Sequence, residues 1–311
     1  MKKRIHLVIV IVLLLASLSA CAENQIQPFE PAATVDATKD SSDSSIIDSN
    51  LSNDLTPSAT VEVSNLNDQI TSGVTVTYVG NSGFLITTSH KKILIDAVFR
   101  GIDHVYTLPD DIQNSLGLAQ PPFDNIDLIL VSHSHRDHLD SYLVDQHLQN
   151  DPNTIFASQS NIVALSTATT DQIISLDPAP GEPAQMDIDG IHVEALLLSH
   201  GEGQPSNIGF VITVDQIKIF FSGDVDFSQV SYEEFRAYQL PEQKIDIAFV
   251  THYYFTNNSV DQRFIKEGIG AKYYIPMHYY FTDPPFNRTN ILKYYPDAIF
   301  FNKELTSWEM P

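Results

Sequence analysis

The octapeptide Val131-Ser132-His133-Ser134-His135-Arg136-Asp137-His138 constrains this chain more than any other stretch. Three imidazoles and a carboxylate fall within its last six residues, directly behind Asp127-Leu-Ile-Leu-Val131, which reads as a buried strand. The fold must therefore deliver this cluster at a strand end, and the remaining sequence reads as its support.

Period-two patterning begins after Gly73. Val74–Val79, Phe84–Thr88 and Lys92–Asp96 are expected strands joined by tight turns, an antiparallel start. Residues 99–123 carry Pro109, Pro121 and Pro122 and read as a loop with a short helix at Pro109–Leu116. Helices are expected at Ser141–Asn150 and Asn161–Thr167, with strands at Thr154–Ala157 and Gln172–Ile174. The second half repeats this texture with strands at Ile191–Leu198, Gly209–Val214, Lys218–Phe221, Ile245–Val250 and Tyr273–Pro276. Helices are expected near Tyr232–Gln239, Val260–Glu267 and Phe286–Tyr295. Residues able to bind metal recur at the strand ends: His133, His200, Asp224, His252 and His278. Loops converge over a rigid sheet at such ends, which is where sites in layered αβ folds form.

Neutral imidazole and carboxylate suit Zn2+, and Mn2+ or iron less selectively. His133, His135, Asp137, His138, His200, Asp224 and His278 are enough groups for two metals without a thiolate. His133-Ser-His135-Arg-Asp137-His138 resembles the HxHxDH signature of the metallo-β-lactamase fold superfamily, and His200, Gly223-Asp224 and His278 follow in that family's order. Gly80-Asn-Ser-Gly-Phe-Leu-Ile86, Ile93-Leu-Ile-Asp96 and Ala271–His278 are similar to the branch of the ascorbate-6-phosphate lactonases. The resemblance spans about 74–311 and implies an α/β fold, a four-layer αββα sandwich with metals at one edge. It also implies roles. His133, His135 and His200 would hold one divalent cation and Asp137, His138 and His278 a second, with Asp224 between them. Zn2+ is the expected metal and Mn2+ the alternative. The implied reaction is hydrolysis of an ester, lactone or phosphodiester by a hydroxide held between the metals, with Asp137 also orienting it.

Other candidates are less specific. Asp96 is a candidate for fixing a ligand's tautomer, with a plain turn as the other reading. His252 competes with His278, because both follow an apolar strand and precede Tyr-Tyr-Phe. It is otherwise a pocket-wall or core histidine. Tyr279 is a candidate pocket phenol, with core packing the commoner fate of such residues. Asp137 could serve only as a helix N-cap, and Arg136 reads as a spacer facing away.

The first 20 residues have the pattern of an export signal: Lys2, Lys3 and Arg4, then a short apolar run from Ile5 to Ala16. Leu18-Ser-Ala-Cys21 resembles the bacterial lipoprotein box, which implies lipid attachment at Cys21 and a place on the outside of the cell membrane. Cys21 is the only cysteine, so neither an internal disulfide nor a thiolate metal site is possible. Residues 21–72 are polar and acidic and read as a disordered tether. The domain over 73–311 carries 13 Lys+Arg against 30 Asp+Glu, a net of -17. That charge opposes a nucleic-acid substrate and leaves a small molecule as the expected partner. A non-catalytic binding lipoprotein and a β-lactam hydrolase are the competing functions. Specificity is expected in the loops 99–123, 201–207 and 281–288. Oligomeric state is left open.

Overall fold

The computed structural model describes residues 73–102, 104–279 and 288–311. The expected signal at 1–20 and the tether at 21–72, with Cys21, lie outside the described residues, as does most of the loop at 281–288.

The chain opens with β1 (Thr75–Gly80), β2 (Gly83–Thr87) and β3 (Lys92–Ile95), followed by a small hairpin of β4 (Gly101–Ile102) and β5 (Tyr106–Thr107). Then come α1 (Asp110–Gly117), β6 (Leu128–Leu130), α2 (Ser141–Asn150), β7 (Ile155–Ser158), α3 (Ser160–Val163) and β8 (Ile173–Ser175). The second half contains β9 (Ala184–Ile188), β10 (Ile191–Leu197), β11 (Ile208–Val214), β12 (Ile217–Phe221), α4 (Tyr232–Ala237) and α5 (Leu240–Gln243). It closes with β13 (Ile247–Thr251), α6 (Ser259–Gln262), a π-helical stretch Arg263–Ile269, β14 (Tyr273–Met277), α7 (Arg288–Tyr294) and β15 (Ser307–Glu309). Two mixed sheets result, ordered β15-β1-β2-β3-β6-β7-β8 and β14-β13-β12-β11-β10-β9.

Side-chain alternation dictates the layering. Alternate residues of a strand point to opposite faces. Val76, Tyr78, Phe84, Ile86, Ile93 and Ile95 of the first sheet therefore meet Val193, Phe210, Ile212, Ile219, Phe221 and Phe249 of the second in one core. The intervening residues Leu85, Leu94 and Ile129 face the other way, onto Ile112, Leu116, Leu143 and Leu148 of α1 and α2. On the far side Val211, Phe220, Ala248 and Val250 pack on Phe235, Leu240, Phe264, Ile265 and Ile291. Both sheets are covered on both faces, and the expected αββα sandwich is the observed one.

Three local differences have physical reasons. The expected helix at Asn161–Thr167 stops at Val163, because Asp145 accepts from Ser166 Oγ and from the Thr167 amide and hydroxyl, an alternative to helical bonding. Asp140, not Asp137, caps α2, accepting from the Leu143 amide at 2.9 Å. The strands β4, β5, β9 and β15 were not expected. They are short or largely exposed, so alternation in the sequence is weak there.

Candidate metal centre

The parallel strands β3 and β6 end side by side, bringing Asp96 against the start of the octapeptide. Asp96 is fully buried. Its carboxylate accepts from the Ser132 amide at 2.7 Å, from Ser132 Oγ at 2.5 Å and from His138 Nδ1 at 2.7 Å. With the Ser132 proton directed to Asp96, His133 Nδ1 donates to Ser132 Oγ at 2.9 Å. Both imidazoles thus commit Nδ1 as a donor, which leaves Nε2, facing the cluster, as the atom able to bind a metal once the ring is neutral. A tight turn follows, with the His138 and Leu139 amides donating to His135 O, and it folds Asp137 and His138 back beside His133.

The other groups arrive from the second sheet: His200 after β10, Asp224 after β12 and His278 after β14. Gly223, at φ +54°, makes the sharp turn that precedes Asp224. A Cβ there would lie 2.1 Å from Asn207 Oδ1 and 2.8 Å from Ser132 Cβ, so only glycine fits. Asn207 in turn accepts from the Asp224 amide and donates to the carbonyls of Leu198 and Ser222. Asn81, in the β1–β2 turn, donates to Asp137 Oδ2 at 3.1 Å and accepts from the His278 amide at 3.2 Å. Neither amide carried a sequence signal beyond lying in a turn or loop.

The result is two adjoining groups of ligand-type atoms, His133, His135, His200 and Asp224 in one, Asp137, His138 and His278 in the other. Asp224 Oδ2 lies between them, 3.8 Å from His133 Nε2 and from His200 Nε2, 3.3 Å from His138 Nε2 and 3.0 Å from His278 Nε2. His135 turns Nδ1 inward, 3.0 Å from His133 Nε2 and 3.3 Å from His200 Nε2. Asp137 Oδ2 lies 3.5 Å from His278 Nε2.

This donor set fits divalent cations. His138 Nε2 and Asp224 Oδ1 are buried without a hydrogen-bond partner, a costly state that a ligand would relieve. Burial, reinforced by the neighbouring imidazoles, holds His133 well below the ordinary histidine range, and burial lowers His200 as well. For His138 and His278 burial also opposes charge, but Asp224 outweighs it, with Asp96 or Asp137 adding to the effect, and both rise to about 10. Asp224 and Asp137 are buried, yet the same two imidazoles push them well below the usual carboxylate range.

His252 stands outside both groups, its Nδ1 3.3 Å from Met277 O. Tyr279 does not line the cleft; it is a core residue. Its ring stacks on Tyr78 and its hydroxyl exchanges hydrogen bonds with the Phe301 backbone, because the C-terminal segment covers it. Arg136 is also corrected: it does not face away. A cleft of about 530 Å³ over the cluster is lined by Ile102, His135, Arg136, Asp137, His200, Gln204, Asp224 and His278.

Residues 75–278 match the family model described as the beta-lactamase superfamily domain. The chain belongs to the beta-lactamase superfamily. Among the relatives of this superfamily member is a UPF0173 metal-dependent hydrolase of Pelotomaculum thermopropionicum, 29% identical over 163 residues, 48% of this chain and 61% of that protein. The chain thus spans less than two thirds of the length of the curated relative it matches. Among solved structures, the metallo hydrolase Igni18 of Ignicoccus hospitalis superposes with a TM-score of 0.53 at 19% identity, over 77% of this chain and 99% of that one. The metallo-beta-lactamase fold protein YhfI of Bacillus subtilis gives 0.53 at 16% identity, over 77% and 100%. Both are likenesses of fold.

Proposed function

We propose that this superfamily member is a metal-dependent hydrolase holding two divalent cations, of which Zn2+ suits the all-nitrogen-and-oxygen donor set and Mn2+ is the alternative. The observation that carries the reading is Asp224 Oδ2, which faces two imidazole nitrogens from each group at 3.0–3.8 Å. In this reading His133, His135 and His200 would hold one cation and Asp137, His138 and His278 the other, with Asp224 placed to serve both groups. When bound, such cations supply Lewis acidity and make water a competent nucleophile near neutral pH. Asp137 is the catalytic residue of this reading: its carboxylate, anchored by the Asn81 amide, would accept from the attacking water and orient it. Ser132 and Asp96 engage Nδ1 of His133 and His138 and so direct Nε2 of each toward ligation. The bond cleaved is an ester, lactone or phosphodiester of a small molecule. The name of the Pelotomaculum relative agrees with the hydrolytic class, and the lactonase likeness of Gly80–Ile86 and Ala271–His278 favours lactones among the substrates.

The N-terminal pattern adds a place to this proposal: export, cleavage before Cys21, and a lipid anchor on the outside of the cell membrane. The test uses the full chain. Metal analysis should find two divalent ions per chain, and chelation should abolish turnover of bis(p-nitrophenyl) phosphate or of simple lactones. Asp224→Ala should lose both ions. A metal-loaded protein inert across esters, lactones and phosphodiesters overturns the reading. Membrane fractionation of Cys21→Ser tests the anchor, since an unchanged distribution removes it.

A further inference from the structure

The metal cleft is the middle one of three adjoining spaces, and its two neighbours differ in charge. On one side a cavity of about 390 Å³ is lined by Arg100, Arg136, Asp140 and Tyr142, among others. Arg136 lines this cavity and the cleft alike. On the other side a cavity of about 450 Å³ is lined by Leu197, Ser199, Gln229, Val230 and Tyr238, and it shares His200 and Gln204 with the cleft.

Of the two arginines, only Arg100 is tied into the fold. Arg136 is exposed and, among the described residues, forms no ion pair or hydrogen bond. Arg100 Nε lies 2.9 Å from Asp140 Oδ2, a contact outside hydrogen-bond geometry, and its guanidinium lies 5.4 Å from the Tyr142 ring centre. Two arginines lining the space that adjoins the metal cleft, in a domain of net charge -17, give a local attraction for anions that most of its surface opposes. Guanidinium suits a carboxylate or phosphate group because its planar fork can donate two parallel hydrogen bonds. Among the described residues the opposite cavity has no lysine or arginine in its lining. Its one carboxylate among the described residues, Glu234, is engaged with the Ser231 amide, and apart from the shared His200 the remaining groups are hydroxyls, amides and apolar side chains. An anion there would find no counter-charge.

Building on the hydrolase reading, we propose that the substrate is polarised about its scissile bond. One side carries a carboxylate or phosphate group held by Arg136 and Arg100. The other side is uncharged and occupies the cavity lined by Leu197 and Tyr238. Arg136 is thus a specificity-determining residue embedded in the metal motif itself, and the position following His135 selects the substrate's charge.

The experiment compares two esters with the same uncharged leaving group, p-nitrophenyl succinate (one free carboxylate) and p-nitrophenyl butyrate, on the metal-loaded full chain. The wild type should favour the succinate ester in kcat/KM. Arg136→Gln should cut that preference roughly tenfold, mainly through KM, the scale of one exposed charge-assisted contact. Arg136→Lys should retain part of it, and added salt should weaken it. A second arm measures calorimetric binding of phenylbutyrate and of the matching methyl ketone, neither of which has a bond to cleave. Arg136→Gln should weaken the carboxylate and not the ketone. Phenylpropylphosphonate in the same arm distinguishes the anions: the one whose affinity falls further in Arg136→Gln is the group recognised. If both esters are turned over and the preference is unchanged in Arg136→Gln, the subsite is wrong and the hydrolase stands. If neither ester is turned over, the hydrolase reading is in question, while equal carboxylate affinity in wild type and Arg136→Gln would still refute the subsite.

Discussion

Asp96→Asn tests how the fold prepares its ligands. The native carboxylate accepts from three donors, Ser132 N at 2.7 Å, Ser132 Oγ at 2.5 Å and His138 Nδ1 at 2.7 Å. An asparagine of the same shape has one accepting oxygen. With its amide toward His138, it must donate to Nδ1, which moves the imidazole proton to Nε2, the atom that lies 3.3 Å from Asp224 Oδ2. With its amide toward Ser132 N, donor faces donor in a fully buried place. The first outcome removes a metal-binding nitrogen. The second costs about 1–3 kcal/mol of stability for the unmet buried group. Loss of a ligand's orienting partner typically lowers metal affinity roughly 10- to 100-fold. Chelator-competition titration of the full chain should show that loss, and Asp96→Asn combined with His138→Ala should be clearly less than additive, because both act through one ligand. A folded Asp96→Asn protein whose metal affinity stays within about twofold of wild type would refute the tautomer argument.

Other consequences are simpler to state. His278→Ala should lower the occupancy of one of two metal positions, and His252→Ala should not, since His252 lies outside both ligand groups; metal analysis giving the reverse would overturn the assignment. Gly223→Ala should destabilise the protein by at least about 1–3 kcal/mol, since a side chain there meets Asn207 at a positive φ, and thermal melts should report it. Metal uptake should release protons. In the metal-free protein His138 and His278 stay charged up to a pKa of about 10, because Asp224 and its neighbours outweigh burial, so binding at their Nε2 atoms must expel those protons. Affinity should therefore rise with pH from about pH 7 toward about pH 10, and calorimetry in buffers of different ionisation enthalpy should count the protons. The linked stability has the same sign for both residues. With folded values raised above the ordinary 6.5, it is full below that value and is lost as pH rises through about 10.

The octapeptide and the strand-end positions of His200, Asp224 and His278 were legible because their signals are local: a dense run of ligand types, and apolar alternation that stops where they begin. The layering was legible for the same reason. What sequence reading left open or missed depends on long-range packing. Tyr279 and His252 have the same local texture, Tyr-Tyr-Phe behind a strand or histidine, yet Phe301 draws the Tyr279 hydroxyl into the core and the Met277 carbonyl engages His252. Arg136 could only be oriented once the octapeptide turn and the lining from the β4–β5 hairpin were in view. Asn81 and Asn207 are single amides in turns or loops, and no periodicity marks them.

Those two asparagines also explain why the centre can be formed before any cation arrives. Asn81, Asp96 and His278 all adopt positive φ, as does Gly223, and for non-glycine residues such backbone costs about 1–3 kcal/mol each. Conformations of that kind persist only where the surroundings over-determine them. Here they do, through bonds that cross between the sheets. The Ile208 amide donates to Ser132 O at 3.0 Å, the His278 amide donates to Asn81 O, and Gly223 packs against Ser132. Each bond ties a ligand-bearing strand of one sheet to the other without using a ligand atom. The sandwich core, from Val76 to Met277, is likewise independent of the site. The metal-free protein should therefore keep its fold, unlike small domains whose folding free energy is metal binding. Strain held by the two sheets, and not by the cations, is what keeps the other six ligand-type side chains gathered around Asp224.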